Sequence, residues 1–410
     1  WLCPERTAIY YDLPMWGDKH FELLGKTLEM MLPLASRHVE ANLVVRYLSR
    51  DNSEVMVKWI KQPDPSAGSG QVGKFKYDFT VFDKYMDVVA KAIGKPTVVR
   101  LNMWSSNRKP CHAVVVVDPA TGKTEEMEQP MYGSAESYDF WKPVFDEIRT
   151  RMDKRGWSDV TAANWHEYCG GPDTNTVSMY KKIWPDGKWV DMDHGIRTGF
   201  GGVKKEDWMP VLTSTTVWGE HAMKLRGYKE QFNKPGPKQR YCCHARGRTR
   251  EWSSLWDIRA VCEETILKGF DGLDPLGGDL WMIKNERGRW VGGEWAACAL
   301  GPGNCTRAFL GPGPNGPVAT ERYEALREGI QIVEATLFIQ RGIDTGKLSP
   351  ELAARANKAL DERGQRRIDS WVLRDKSGAM SFNEAKASAG CLESESELYA
   401  VAAEVAKVAK

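Results

Sequence analysis

The chain has 410 residues, with 57 Lys+Arg against 55 Asp+Glu and a formal net charge of +2. That length allows a large core or two to three average domains, and the near-neutral balance gives no footing for nucleic acid or an anionic membrane. No apolar run reaches the roughly 18 residues that a helical membrane span needs.

Pro4 stops the apolar start Trp1-Leu2-Cys3, which reads as the tail of a strand. The chain begins at Trp1 rather than Met, with no charged-then-apolar leader, as a fragment or processed form would; secretion is left open. A helix is expected from about Lys19 to Arg37 with Asp18 as N-cap, then a strand from Val39 to Tyr47. A short strand, Val55–Ile60, and a Pro/Gly/Ser loop form an excursion. Asp78 to Ile93 has the helical period, and Thr97 to Met103 is a strand ending at Trp104. Cys111–Val117 and Thr124–Gln129 form a hairpin around Ala120-Thr121-Gly122.

The stretch that organises the chain follows. Ser137 to Arg155 carries Phe140, Trp141, Val144, Ile148 and Met152 at helical spacing, and Gly156 stops the helix. Val160 to Trp165 suits a buried parallel strand. It ends on His166 and Glu167, before the loop Cys169-Gly170-Gly171-Pro172. Further on come a helix (about Asn175–Ile183) and strands Lys188–Met192, Val211–Val217 and Gln239–His244. A helix from about Ser253 to Leu267 and a strand-like run, Phe270–Leu273, complete the alternation. Eight strands alternating with helices predict a (β/α)8 TIM-like barrel over residues 1–345, with an open doubly wound sheet as the alternative. No GxGxxG follows an early strand to favour that alternative.

Trp281 to Trp290 reads as a hairpin and Gly301 to Pro317 as an irregular Gly/Pro loop. Thr320 caps a helix to Arg341. Pro350–Gln365 and Asn383–Lys410 are helices of a C-terminal extension, residues 346–410.

At the C-terminal ends of barrel strands, acidic residues read as catalytic. Glu167 ends the fourth strand, Asp193 the fifth, and Glu220 follows the sixth; Asp191 alternates with Asp193. Asp271 and Asp274 flank the eighth strand more weakly, and Asp257 with Arg259 is a structural or sugar-orienting pair. Each carboxylate also has a plain reading as a buried ion-pair partner. Among 17 tryptophans, Trp104, Trp165, Trp218 and Trp281 lie at or near strand ends, where sugar platforms sit; core packing explains any one of them equally. Tyr241 offers a hydroxyl on the seventh strand. Arg246, Arg248 and Arg250 would suit an anionic sugar or simply a solvated loop. His166, Glu167, Asp191, Asp193 and His194 are acceptable metal ligands without a known ligand spacing. The nine cysteines are odd in number and make no CxxC. Mostly free, buried thiols are expected, with a disulfide or two left open.

Arg155-Gly156-Trp157, Gly313-Pro314-Asn315-Gly316-Pro317 and Arg322-Tyr323-Glu324-Ala325-Leu326-Arg327-Glu328-Gly329-Ile330 resemble proteins related to glycoside hydrolase family 123, also described as domain of unknown function 4091. Trp16 to Phe21 and Tyr77-Asp78-Phe79 with Tyr85 look like the early part of the same pattern. The resemblance spans roughly residues 16–341. It implies a (β/α)8 barrel, often behind a β-sandwich, that removes N-acetylgalactosamine from β-linked glycans, in a secreted or periplasmic setting.

The family is described as using an adjacent Asp-Glu pair, in which the Glu is the general acid and the Asp orients the substrate's acetamide as internal nucleophile. Carried over, Glu167 takes the acid position, and His166 stands where the Asp would be. An imidazole can contact a C2 substituent but lacks the charge that stabilises an oxazolinium. Asp193 or Glu220 would have to supply it. The expectation is a glycoside hydrolase acting on a β-linked, N-acetylated or anionic glycan without a cofactor. A glycan-binding barrel that has lost turnover, or a metal-dependent hydrolase, is the alternative.

Overall fold

The computed structural model describes residues 2–46, 54–62, 75–105, 112–166, 172–192, 203–204, 207, 209, 211–215, 223–229, 240–244, 254–270, 272–274, 277–279, 281, 283–284, 288, 290–291, 309–373, 380–382 and 384–408. The chain divides into two compact units. Unit 1 holds residues 1–213 and 277–318, and unit 2 holds residues 214–276 and 319–410.

Unit 1 is a mixed α/β layer. Its helices are α1 (Pro4–Tyr10), α2 (Asp18–Met31), α3 (Thr80–Ile93), α4 (Ala135–Arg155) and α5 (Thr174–Ile183). Short strands β2 (Lys58–Ile60), β3 (Lys76–Asp78), β5 (Ala113–Val117) and β6 (Thr124–Glu128) make a side sheet, which contains the predicted hairpin. The main strands are β1 (His38–Asn42), β4 (Val98–Ser105), β7 (Thr161–His166), β8 (Lys188–Met192) and β9 (Val211–Thr215). They lie side by side in chain order, and β1–β4, β4–β7, β7–β8 and β8–β9 pair in parallel. Chain-order neighbours joined by helices are what a right-handed β–α repeat produces. Closure of eight strands into a ring is not seen among the described residues.

Helix α4 shows why the local signals work. The Ser134 hydroxyl accepts the Ser137 N–H at 3.1 Å, meeting one of the donors that a helix start leaves unpaired. Gly156 ends the helix at φ 68°, a conformation that a Cβ disfavours. Trp141, Val144, Phe145, Ile148 and Met152 share one face and are buried in the large core with β4, β7 and α5 residues.

Three expectations need correction in unit 1. Leu2 and Cys3 lie outside any strand. Pro4 opens α1 instead, where its fixed φ fits the first turn, and the Cys3 N–H goes to Asp279 Oδ1 at 2.7 Å. Helix α2 is capped by Gly17 without a side-chain bond and ends at Met31; Asp18 is its first residue and reaches Lys84 Nζ at 2.5 Å. Within the predicted Gly/Pro loop, Leu310–Gly313 and Gly316–Ala319 form a two-stranded sheet, with Gly316 at φ 127°.

Unit 2 contains the parallel pair β10 (Arg240–His244) and β11 (Gly272–Asp274). Its helices span Leu255–Leu267, Glu321–Asp344, Pro350–Asp369 and Cys391–Val408. A hairpin, Trp371–Leu373 with Met380–Phe382, was not anticipated. Thr320 caps its helix as expected, accepting the Tyr323 N–H at 3.2 Å. A Cβ on Gly329 would stand 2.7 Å from the Arg259 carbonyl, so two helices cross where only glycine fits.

Arg259 pairs with Glu395 at 2.6 Å and Glu328 at 3.2 Å, which replaces the expected pairing with Asp257. Glu263 lies between Arg363 (2.5 Å) and Arg367 (2.6 Å), all three 6% exposed. Burial works against its charge, but Arg367 and Arg363 outweigh it and hold the carboxyl down to about 2. Cys3, Cys262 and Cys391 are free and buried, in line with the thiol expectation.

Candidate functional site

Strand pairing in unit 1 builds a polar row on one face of the sheet. Along β1, β4 and β7 the register places Asn42 opposite Asn102 and Asn102 opposite Asn164. Their side chains meet: Asn164 Nδ2 donates to Asn102 Oδ1 at 2.7 Å, and Asn102 Nδ2 donates to Asn42 Oδ1 at 2.8 Å. All three asparagines are at most 8% exposed. Because alternate residues of a strand share a face, Glu40 and Arg100 lie in the row below. Arg100 Nη1 donates to Glu40 Oε1, and Asn102 Nδ2 also reaches Glu40 Oε2, each at 3.4 Å. Buried amides and charges need partners, and this face supplies them to one another.

His38 continues the face toward the N-terminal end of β1, with Nδ1 3.4 Å from Arg100 Nη2. Burial and the neighbouring guanidinium push its imidazole down to about 3, so it is neutral and accepts from Arg100. A small cavity lies beside this row, lined by Leu2, Pro4, His38, Glu40, Asn42 and Tyr85. Burial, then the charges of Glu40, Asp279 and Glu5, push the Tyr85 phenol well up; it keeps its proton. His38 is a neutral imidazole and Tyr85 a protonated phenol beside the amide row, so neither is an acid poised near neutral pH.

The strand ends place some predicted residues and not others. His166 closes β7, with Ser105 of β4 and Met192 of β8 as its register partners; its backbone is described and its side chain is not. Asn164 sits two residues before it, so the amide row is the layer next below the end of β7. Asp191 is the register partner of Trp165, and Tyr241 lies on β10. Glu167, Asp193, Glu220, Trp218 and Arg246 lie outside the described residues, as do His194, Arg248, Arg250 and Asp271. Among the described residues, no group of three or more His, Cys, Asp or Glu is placed to hold a metal.

Three predicted sugar platforms are corrected. Trp104 is fully buried, its ring centroid 5.6–6.2 Å from those of Trp189, Phe145, Tyr180 and Trp141. Trp165 is 3% exposed and meets Tyr132 and Trp189 edge-on. It alternates with Asn164 and His166 and so takes the helix-covered face. Trp281 is 4% exposed, donates to the Leu310 carbonyl at 2.7 Å and is flanked by Tyr10 and Tyr11. The amide row went unnoticed in the sequence, although polar residues two apart inside apolar strands (Glu40/Asn42, Arg100/Asn102) were there to mark an inner face.

The family model described as glycoside hydrolase 123, catalytic domain, matches residues 1–188. Among solved structures, a family 123 glycoside hydrolase from Clostridium perfringens, studied for glycolipid glycan hydrolysis, is similar with a TM-score of 0.65. The likeness covers 100% of this chain and 70% of that one at 13% sequence identity, which is a likeness of fold. No curated protein matches the chain.

Proposed function

We propose that the chain, whose residues 1–188 match the family 123 catalytic-domain model, is a glycoside hydrolase acting on a β-linked glycan, N-acetylated (galactosamine-type) or anionic. The catalytic-domain match supports glycosidase chemistry for this chain. The observation that carries the mechanism is β7: a parallel strand, inside the matched region, that ends at His166, the residue that precedes Glu167 in the sequence. In this reading residues 1–345 form a (β/α)8 barrel, with residues 346–410 as a helical extension. The chain-order, parallel arrangement of β1, β4, β7 and β8 supports it.

Glu167 is the general acid that protonates the leaving oxygen. His166 contacts the C2 substituent, and Asp193 or Glu220 supplies the negative charge opposite. Trp218, Tyr241 and Arg246 are further candidate contacts to the sugar. Glycosidases of ordinary two-carboxylate type need the second acid about 5 Å away for retention or about 6.5–9.5 Å for inversion. A substrate-assisted mechanism needs only a group that holds the acetamide. His166 in place of the family's Asp favours a second reading, a barrel that binds glycan without turnover.

Release of aryl groups from a panel of β-glycosides, N-acetylated and not, by wild type and Glu167→Gln separates these readings. Turnover of an N-acetylated sugar that falls at least about a hundredfold in the variant is expected for a lost general acid. Turnover of non-acetylated sugars alone would move the mechanism to Asp193 and Glu220. Glycan binding with no turnover would sink the hydrolase reading.

A further inference from the structure

Strand β4 carries one residue too many for its partner. The pairing with β7 runs Asn102 opposite Asn164, then Trp104 opposite Trp165 and Ser105 opposite His166. Met103 is the extra residue of a β-bulge, and such a residue is left out of the ladder. Its carbonyl is taken instead by a side chain: Gln129 Nε2 donates to Met103 O at 2.9 Å. The amide cannot turn over. Trp141 Nε1, which can only donate, gives its hydrogen to Gln129 Oε1 at 3.0 Å, so the NH2 end has to face Met103. Gln129 is 5% exposed and the rings around it are buried, a place where an unpartnered carbonyl is costly.

The bulge decides what stands at the strand ends. Leu101, Met103 and Trp104 all join the helix-side core, which regular alternation forbids for the adjacent pair 103 and 104. In an unbulged β4, Met103 would pair with Trp165 and Trp104 with His166, on the face that carries Asn102 and Asn164. A one-residue slip moves every later side chain across the sheet.

We propose that Gln129 is a positioning residue: it holds the bulge at Met103, keeps Trp104 in the core, and leaves the small Ser105 as the neighbour of His166 at the C-terminal mouth. Its consequence for substrate rests on the glycosidase reading, because the indole would otherwise stand on the Asn102–Asn164 face, paired with His166 at the end of β7. Gln129 thereby sets the room available to the sugar without touching it.

The test uses the full chain labelled with 5-fluorotryptophan, with the Trp104 fluorine line identified by its loss in Trp104→Phe. In wild type a soluble gadolinium chelate leaves that line sharp. In Gln129→Leu the line is expected to broaden, and KM for any turned-over glycoside to rise at least about tenfold with kcat changing less. Deleting Met103 in the Gln129→Leu background removes the extra residue. It should return the line to its sharp state and KM to within about threefold of wild type, a rescue that a merely structural glutamine would not show. If Gln129→Leu does not fold, Gln129→Met is read the same way: its thioether can accept weakly from Trp141 but cannot donate to Met103. A Trp104 line that stays sharp in the variant, or a deletion that rescues nothing, overturns the proposal. Absence of turnover in wild type sinks the glycosidase reading alone, since the fluorine lines still decide whether Gln129 holds the bulge.

Discussion

Both units bury polar groups in their interiors, by opposite means. In unit 1 the row Asn42–Asn102–Asn164 is neutral and directional, each amide donating to the next at 2.7–2.8 Å. Beside it the ion pair of Arg100 with Glu40 is long at 3.4 Å. In unit 2 a single carboxylate, Glu263, is gripped by two arginines at 2.5 and 2.6 Å. An amide row orients neighbours and responds little to pH. An ionic clamp ties three helical positions together, and fails badly when one member is removed, because the others stay charged in a poor solvent. The first arrangement suits a floor under a binding site, and the second suits a scaffold.

The sharpest way to break the contrast is Glu263→Gln. Two guanidinium groups would then face each other in the interior, and a loss of about 3–5 kcal/mol is expected from urea unfolding. Replacing Glu263, Arg363 and Arg367 together by apolar residues of similar volume should cost less than the single change; an equal or larger loss would show that the clamp itself is net stabilising. Next in size is Asn102→Leu, which strips the acceptor from Asn164 Nδ2 and the donor from Asn42 Oδ1. About 2–3 kcal/mol is expected for the loss of two buried amide–amide bonds. Its effect should be the same at pH 8 and pH 5, whereas that of Glu263→Gln should shrink in strong acid.

Acid itself should separate the units. The imidazole of His20, buried and with Nε2 2.9 Å from the Pro4 carbonyl, is lowered from 6.5 by burial, and that of His38 is lowered to about 3. The unfolded chain therefore takes up protons first as pH drops below 6.5. The contribution of both residues is complete above that value and is lost progressively below it, for His38 down to about 3. Glu263 is depressed from 4.5 to about 2, so its contribution is complete above 4.5 and is lost as pH falls from there toward 2. Hydrogen exchange followed by mass spectrometry, corrected for intrinsic rates, should show unit 1 peptides weakening between pH 6.5 and 5 while those around Glu263 hold. Simultaneous loss in both units would mean that they unfold as one.

Much of this architecture was legible in the chain. The apolar stripe of α4, its stop at Gly156 and the strand Lys188–Met192 follow from spacing and from one residue needing positive φ. The buried strand expected over Val160–Trp165 is β7, Thr161–His166. The amide row is marked only by the alternation of faces along each strand, since Asn42, Asn102 and Asn164 lie among apolar neighbours. The bulge at Met103 leaves no mark in composition: Leu101 to Trp104 alternates plausibly without it, so Trp104 looked like a platform. What moves it is a glutamine 26 positions away, a tertiary contact that local spacing does not carry. Proline misled twice. Before α1 it opens a helix instead of closing a strand, and within 301–317 it hid a sheet whose strands flank a two-residue turn.

The smallest expected effect also tests how far the contrast between the units goes. Ser134 caps α4 in unit 1 and Thr320 caps the Glu321–Asp344 helix in unit 2, with nearly equal bonds of 3.1 and 3.2 Å. A cap satisfies a donor locally and does not depend on whether the interior behind it is an amide row or an ionic clamp. Ser134→Ala and Thr320→Ala should therefore each lose about 1 kcal/mol, equally at pH 8 and pH 5, by urea midpoint at constant m-value. A markedly larger loss at Thr320 would show that the helix start is coupled to the clamp around Glu263, and that unit 2 behaves as one stiff body. Equal losses would confine the difference between the units to their buried polar groups.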